Sequence, residues 1–258
     1  LAQGTTRLRS HATRFKSIFS YYGGKSRIAH LYPPPQHDTI IEPLCGAASY
    51  SAQYAERNVL LYDSDSVTAS IWNFLLSPNA LEQCRVYIPD KVLAGWKITE
   101  MMESWPLGID EGLLHLMQAE ANAGTQGAKG VHNQITKFGA ASWHRFLPKM
   151  EYWIPRIRHW RFSRFDYNAI PNLEATWFID PPYNNIAGQR YRTRVSDYHK
   201  LGEWCIDRWG QVIVCENYGA TWLPFEPLAQ RRGVVSSYQK SRAMEAVYVQ
   251  ENRFSQAA

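Results

Sequence analysis

Residues 39–76 read TIIEPLCGAASYSAQYAERNVLLYDSDSVTASIWNFLL. Thr39-Ile40-Ile41 is a short apolar run stopped by Glu42-Pro43, the pattern of a buried strand. Asn58-Val59-Leu60-Leu61-Tyr62 is a second such run, ended by Asp63. Residues 47–57 between them are predicted helical, and Val67, Ile71, Phe74 and Leu75 recur at helical spacing over 66–76. Strand, helix, strand, helix is the signature of a parallel sheet with crossover helices, so the fold class is α/β.

Further strands are predicted at 161–165, 176–179 and 211–215, with a helix at 197–209. Gly233-Val234-Val235-Ser236 and Ala246-Val247-Tyr248-Val249 are expected to pair near the C-terminus. Residues 79–160 look mostly helical, with a glycine-rich break at Gly124, Gly127 and Gly130. The expected organisation is one α/β domain from 17–77 and 161–254, interrupted by a helical subdomain at 78–160.

Composition narrows the classes. The chain has 258 residues, 45% hydrophobic and 20% charged, which excludes a disordered chain. It holds no apolar run of about 18 residues, so no membrane span is expected. The basic N-terminal stretch lacks the apolar core of a signal peptide, and a cytoplasmic monomer is the default expectation. Cys45, Cys84, Cys205 and Cys215 lie far apart, with no CxxC pair. Neither a disulfide framework nor a zinc knuckle is expected, and a reducing compartment fits. The eight histidines show no ligand spacing, so no metal is expected.

Charge is unevenly spread around a net +5. Residues 1–37 hold six Lys or Arg and no acid, and residues 129–165 hold eight bases against Glu151 alone. Two basic regions flanking an acidic one suit a polyanion, nucleic acid above all, although a solvated basic surface gives the same pattern. The second basic region interleaves Trp143, Phe146, Tyr152, Trp153, Trp160, Phe162, Phe165 and Tyr167 with its arginines. Such a mixture can hold phosphates and stack bases. Trp153, Ile157 and Trp160 also sit at helical spacing, which is the spacing of a core.

Four acids follow apolar runs: Glu42, Asp63, Asp166 and Asp180. The carboxyl ends of parallel strands are where open α/β sheets bind ligands. A single acid there is often only a helix cap. Asp180-Pro181-Pro182-Tyr183 carries the most chemistry. Two prolines after a strand make a rigid turn with no backbone donor. The Asp180 carboxylate and the Pro181 carbonyl remain as acceptors, suited to an exocyclic NH2 group, and Tyr183 adds a flat face for the same ring. Gly46 lets the backbone pass close to a ligand, and Asp63 is placed for ribose hydroxyls or for an N-cap. Gly23-Gly24-Lys25-Ser26 is not a P-loop, because the position five residues before Gly24 is Phe19.

The order of these motifs resembles the Dam-like class of DNA adenine N6-methyltransferases, which use S-adenosylmethionine. Asp180-Pro181-Pro182-Tyr183 matches the DPPY signature of amino-group methyltransferases. Tyr21-Tyr22-Gly23-Gly24-Lys25 resembles the family's aromatic-x-Gly-Gly-Lys motif, and Glu42 to Ser49 its EPFxGxGS loop. Asp63-Ser64-Asp65, Ser163 to Tyr167, Glu216-Asn217 and Glu245 to Asn252 resemble its later motifs. The likeness covers roughly 17–254. Leu44 stands where Phe is usual, and Ala48 stands where the second Gly is usual.

The resemblance implies a Rossmann-like S-adenosylmethionine-dependent methyltransferase fold, with residues 78–160 as the target-recognition subdomain. It implies cofactor contacts from Tyr21, Tyr22, Lys25, Glu42, Pro43, Gly46, Asp63, Asp166 and Asp180. Asp180, Pro181, Pro182 and Tyr183 would form the acceptor pocket for an adenine flipped out of double-stranded DNA. Lys137, Arg145, Lys149, Arg190, Arg192 and Arg194 are candidates for phosphate contacts. The same motifs admit N4 of cytosine, or adenine in RNA. A non-catalytic nucleic-acid-binding protein on a decayed scaffold would have Leu44 and Ala48 as its only support.

Overall fold

Ile40 and Ile41 are both fully buried, and they point to opposite faces of one sheet. The same alternation separates Phe178 from Trp177 and Ile179, and Ile213 and Cys215 from Val212 and Val214. A sheet covered on both faces needs apolar residues at every strand position, which is why these strands read as unbroken apolar runs. The computed structural model describes residues 15–102, 109–121, 133–228 and 245–253.

Seven strands form a single sheet among the described residues. They are β1 (Thr39–Glu42), β2 (Asn58–Tyr62), β3 (Arg161–Ser163), β4 (Ala175–Ile179), β5 (Gly210–Asn217), β6 (Glu226–Pro227) and β7 (Glu245–Arg253). Their order across the sheet is β3-β2-β1-β4-β5-β7-β6. The first five in that order run parallel, while β7 runs antiparallel to both β5 and β6. Chain direction across the sheet reverses between β1 and β4, the kind of switch point at which open α/β sheets bind ligands.

Among the described residues seven helices flank the sheet: α1 (Ser66–Leu75), α2 (Ala80–Tyr87), α3 (Ile98–Met102), α4 (Glu111–Ala121), α5 (Lys137–Ser142), α6 (Phe146–Ile157) and α7 (Tyr198–Ile206). One face packs on α1 and on α2 to α6; the other packs Leu201 and Cys205 of α7 against Trp177 and Val212. Leu113, Met117, Trp153 and Ile157 from the helical stretch join the same buried cluster as Ile40 and Leu61. The stretch inserted in the sequence therefore shares its core with the sheet. No helix among the described residues is long and apolar enough to cross a membrane.

Residues 47–57 do not form the predicted α-helix. Gly46 and Ala48 have φ of +46° and +47°, and only a short 3-10 turn follows at Ser51–Tyr54. Two left-handed residues in three cannot start a right-handed helix. Ala48 holds this conformation with its methyl fully buried, at a cost of about 1–2 kcal/mol that a glycine would not bear. Residues 233–236 lie outside the described residues, whereas Ala246–Val249 do form part of a strand.

Much of the aromatic content is internal. Trp143, Phe146, Trp153 and Trp160 are buried, so they are core rather than a base-stacking surface. The indole N–H groups tie distant loops to that core. Trp72 donates to the Gly46 carbonyl at 2.7 Å, Trp153 to Ser17 at 2.9 Å and Trp160 to Ala55 at 3.1 Å. A tryptophan supplies both the apolar mass and the donor that a buried loop carbonyl needs.

Candidate active site

The carboxyl ends of β1, β2 and β4 converge on one pocket. Its lining includes Tyr21, Tyr22 and Lys25, then Glu42 and Gly46, then Asp63, Asp180 and Pro182. Five sequence segments, from Tyr21 to Thr193, thus supply one cavity. Pro43 and Pro181 are buried beside it. Tyr183 faces a second, open cleft, with Arg194, Tyr198, His199 and Trp222.

Lys25 is the hub. Its ammonium lies 2.9 Å from Asp180 Oδ1, 3.6 Å from Glu245 Oε1 and 4.4 Å from the centre of the Tyr183 ring. The residue is 8% exposed. Burial opposes its charge, but the Asp180 and Glu245 carboxylates overrule burial and raise its pKa. Burial pushes the Asp180 carboxyl up to about 6, against the opposing pull of Lys25. The Asp180 side chain keeps 21% of its surface, so the carboxylate remains reachable.

Asp63 is buried at the end of β2 and is not a helix cap. Asp65 caps α1 instead, accepting from Thr68 N at 2.9 Å. Asp63 Oδ2 accepts from Gly46 N at 3.1 Å and Oδ1 from Asp65 N at 2.9 Å. These donors only partly offset burial, which pushes its carboxyl up to about 6. Gly46 is pinned from both sides, because its carbonyl accepts from Trp72. A Cβ there would meet the Tyr21 ring at 2.6 Å. Gly46→Ala is expected to cost about 1–2 kcal/mol from the left-handed backbone alone. It should also displace Tyr21 from the pocket. Thermal melts together with calorimetry of ligand binding check this, and unchanged values in both would remove Gly46 as the pocket's close-approach point.

Glu42 is 2% exposed and accepts from Ser51 N at 2.9 Å. Burial dominates that bond and pushes its carboxyl up to about 8, well above the ordinary 4.5. The folded chain therefore holds this proton more tightly than the unfolded chain. Its stabilising contribution is complete below about pH 4.5 and is lost as pH rises through about 8. Asp63 and Asp180 act in the same direction up to about 6. The melting temperature is expected to fall from about pH 5 to about pH 8. In Glu42→Gln the part of that fall above about pH 6 should vanish. A melt series showing the same slope in both proteins would refute this assignment.

Not every acid at a strand end enters the pocket. Asp166 is exposed, and it accepts from Asn168 N at 3.1 Å and from Asn168 Nδ2 at 2.8 Å. It caps a short 3-10 turn and does not line the cavity. Lys149 is also withdrawn from solution: it is 8% exposed and pairs with Glu120 at 2.6 Å. A lysine spent on a buried partner is not available to a phosphate. Lys137, Arg190, Arg192 and Arg194 are exposed, Arg192 close enough to His115 for its charge to act on that ring.

Glu245 and Glu216 stand beside the site: both open stretches that resemble motifs, but neither is among the candidate site residues. Because β7 runs antiparallel, its first residue reaches the edge where the parallel strands end. There Glu245 Oε1 accepts from the Tyr32 hydroxyl at 2.6 Å and also from the Tyr183 hydroxyl. Glu216, near the end of β5, accepts from Asn184 N at 3.2 Å, Asn217 N at 2.7 Å and Trp222 Nε1 at 3.0 Å. It holds the chain leaving the proline turn. Tyr191 closes the pocket's other side, its hydroxyl donating to the Tyr22 carbonyl at 3.0 Å. An acid immediately before the apolar run 246–249 was the available signal for Glu245.

No protein-family model matches the chain, and no curated protein sequence matches it. Among solved structures, two of the rRNA methyltransferase aviRa from Streptomyces viridochromogenes align with 81% of this chain and 74% of theirs. Identity is 14% in both, and the TM-scores are 0.33 and 0.34. Similarity this loose carries no argument about activity.

Proposed function

We propose that the protein is an S-adenosylmethionine-dependent methyltransferase acting on an exocyclic amino group of a nucleic-acid base, with N6 of adenine in DNA as the acceptor. The observation that carries this is the juxtaposition at the switch point. Asp180 and Pro182 of the acceptor-only turn line the same pocket as Gly46 and Asp63, with Pro181 buried between them.

The pocket's residues fit the cofactor. The missing side chain at Gly46 lets the Tyr21 ring pack against the backbone in the pocket wall. Asp63 supplies a carboxylate for ribose hydroxyls, as acids at this strand end do in dinucleotide folds. Asp180, Glu245 and Glu216 act on a single buried ammonium, and Asp63 adds a further carboxylate to the pocket, an excess of acid that favours a cationic ligand. Asp166 stands outside the lining, so the nucleoside is assigned to Gly46 and Asp63. When bound, S-adenosylmethionine supplies an electrophilic methyl group on a positively charged sulfur.

The remaining work falls to the chain. An amino nitrogen on an aromatic ring is a poor nucleophile, because its lone pair is delocalised into the ring. The Asp180 carboxylate and the Pro181 carbonyl accept its two hydrogens and favour a pyramidal nitrogen. Lys25 and Glu216 hold the turn from either side, so the acceptors need no rearrangement. As the new N–C bond forms, the nitrogen becomes positive and must lose a proton. Asp180, with its carboxyl at about 6, is suited to accept that proton near neutral pH. The base reaches the turn only by leaving its stack, which costs a few kcal/mol. Tyr183, between the pocket and the open cleft, offers the ring face to receive it.

Product identification tests this. DNA and RNA of mixed sequence are incubated separately with the protein and labelled S-adenosylmethionine, digested to nucleosides and resolved by mass. N6-methyladenine from DNA is expected. N4-methylcytosine or a product from RNA alone would move the acceptor, and no methylated base from either would overturn the proposal.

A further inference from the structure

We infer that a second, basic cleft outside the pocket grips the backbone phosphates of the polynucleotide substrate. This rests on the proposed nucleic-acid substrate. The cleft lies between residues 15–27 and the α5–α6 region, has a volume of about 410 Å³ and is lined by Lys16, Arg27, Arg145 and Lys149 with four serines. Glu120 is the one acid in that lining, and it is already committed. It accepts from Lys149 Nζ at 2.6 Å and from the backbone N–H of Ser20 at 2.7 Å. The carboxylate and Lys149 thus cancel inside the wall, and the wall is fixed. Lys16, Arg27 and Arg145 are exposed cations in the lining. Arg145 is held over the Phe15 ring at 5.7 Å, which limits where its fork can point.

Cations and hydroxyl donors with their only acid neutralised select a ligand that is all acceptor, which is the chemistry of a phosphodiester. The cleft is open and far larger than a single phosphate, which suits a chain passing through.

Its place in the fold gives it a purpose. Ser20, Ser26 and Arg27 line the cleft, while Tyr21, Tyr22 and Lys25 of the same segment line the pocket. The segment is tied down by bonds from Ile28 N and Ala29 N to the Lys25 carbonyl, both at 2.8 Å. A phosphate held at Arg27 therefore sits two residues along the chain from the lysine that positions Asp180. The grip fixes the strand relative to the acceptor turn.

Fluorescence anisotropy with a labelled short duplex over a salt series tests this on the full chain. Arg27→Ala and Arg145→Ala are each expected to weaken binding about tenfold near 0.1 M salt and to lower the salt slope by about one. Exposed Lys91, outside the lining, serves as the control: Lys91→Ala should change neither. The heat of S-adenosylmethionine binding should be the same in all three variants. The same series with single-stranded RNA assigns the polymer. Wild-type affinity and slope in both arginine variants would overturn the cleft while leaving the proposed activity standing. Loss of binding in those variants, with no methylated base formed by the wild type, would uphold the cleft and sink the activity. Binding of inorganic pyrophosphate by calorimetry, without binding of either polymer, would make this a small-anion site and overturn the inference.

Discussion

Asp180→Ala is expected to stay folded and to lose methyl transfer by a factor of about 10³ or more. The fold survives because Lys25 keeps a partner, Glu245, at 3.6 Å, and because the side chain removed is partly open to the pocket. Activity is lost because no other acceptor faces the amino group from that direction, and none takes its proton. The pH profile separates this role from a structural one. In the wild type, kcat/KM should rise through about pH 6 as Asp180 ionises. Asp180→Asn keeps the shape but should show a flat, low profile. Turnover close to wild type in Asp180→Ala, measured as labelled product per enzyme, would end the proposed mechanism.

Lys25→Met should be the most destabilising single change in the site, at about 3–5 kcal/mol. The methionine fills similar volume but leaves the half-buried Asp180 and Glu245 carboxylates side by side without the cation between them, so they repel each other. The variant is expected to unfold at lower denaturant concentration with an unchanged m-value. Adding Asp180→Asn removes one of the two charges, and the double variant should recover about 1–3 kcal/mol relative to additivity. Strict additivity in the cycle would show that the 2.9 Å contact between Lys25 and Asp180 carries no coupling.

The strands legible in the sequence were those buried on both faces, since a run such as Thr176-Trp177-Phe178-Ile179 has no polar position to confuse its period. β6 spans only Glu226–Pro227, too short to carry any period. Residues 47–57 misled because alanines, which favour helices, follow two positions whose left-handed backbone forbids one. Among the acids at strand ends, residue type alone could not distinguish Asp63 from Asp166. What separates them is burial and the choice of donor, Gly46 in one case and the neighbouring Asn168 in the other. Lys149 illustrates the reverse problem. It stands in a basic stretch of sequence, yet its partner Glu120 comes from a different helix. Glu245 was hidden by topology, because only strand reversal brings the first residue of β7 to the site.

That reversal also bears on how the molecule is made. β7 lies between β5 and β6, so until residues 245–253 emerge β5 is an open, apolar edge. The bond that links Tyr32 to Glu245 spans 213 residues. Contacts of such separation form late and slowly, since the whole intervening chain must first be ordered. During synthesis Lys25 is placed early and must wait for its second carboxylate until residue 245 has emerged. The interval leaves a sticky sheet edge and a half-formed pocket exposed together, and closure of the final strand ends both conditions in one step.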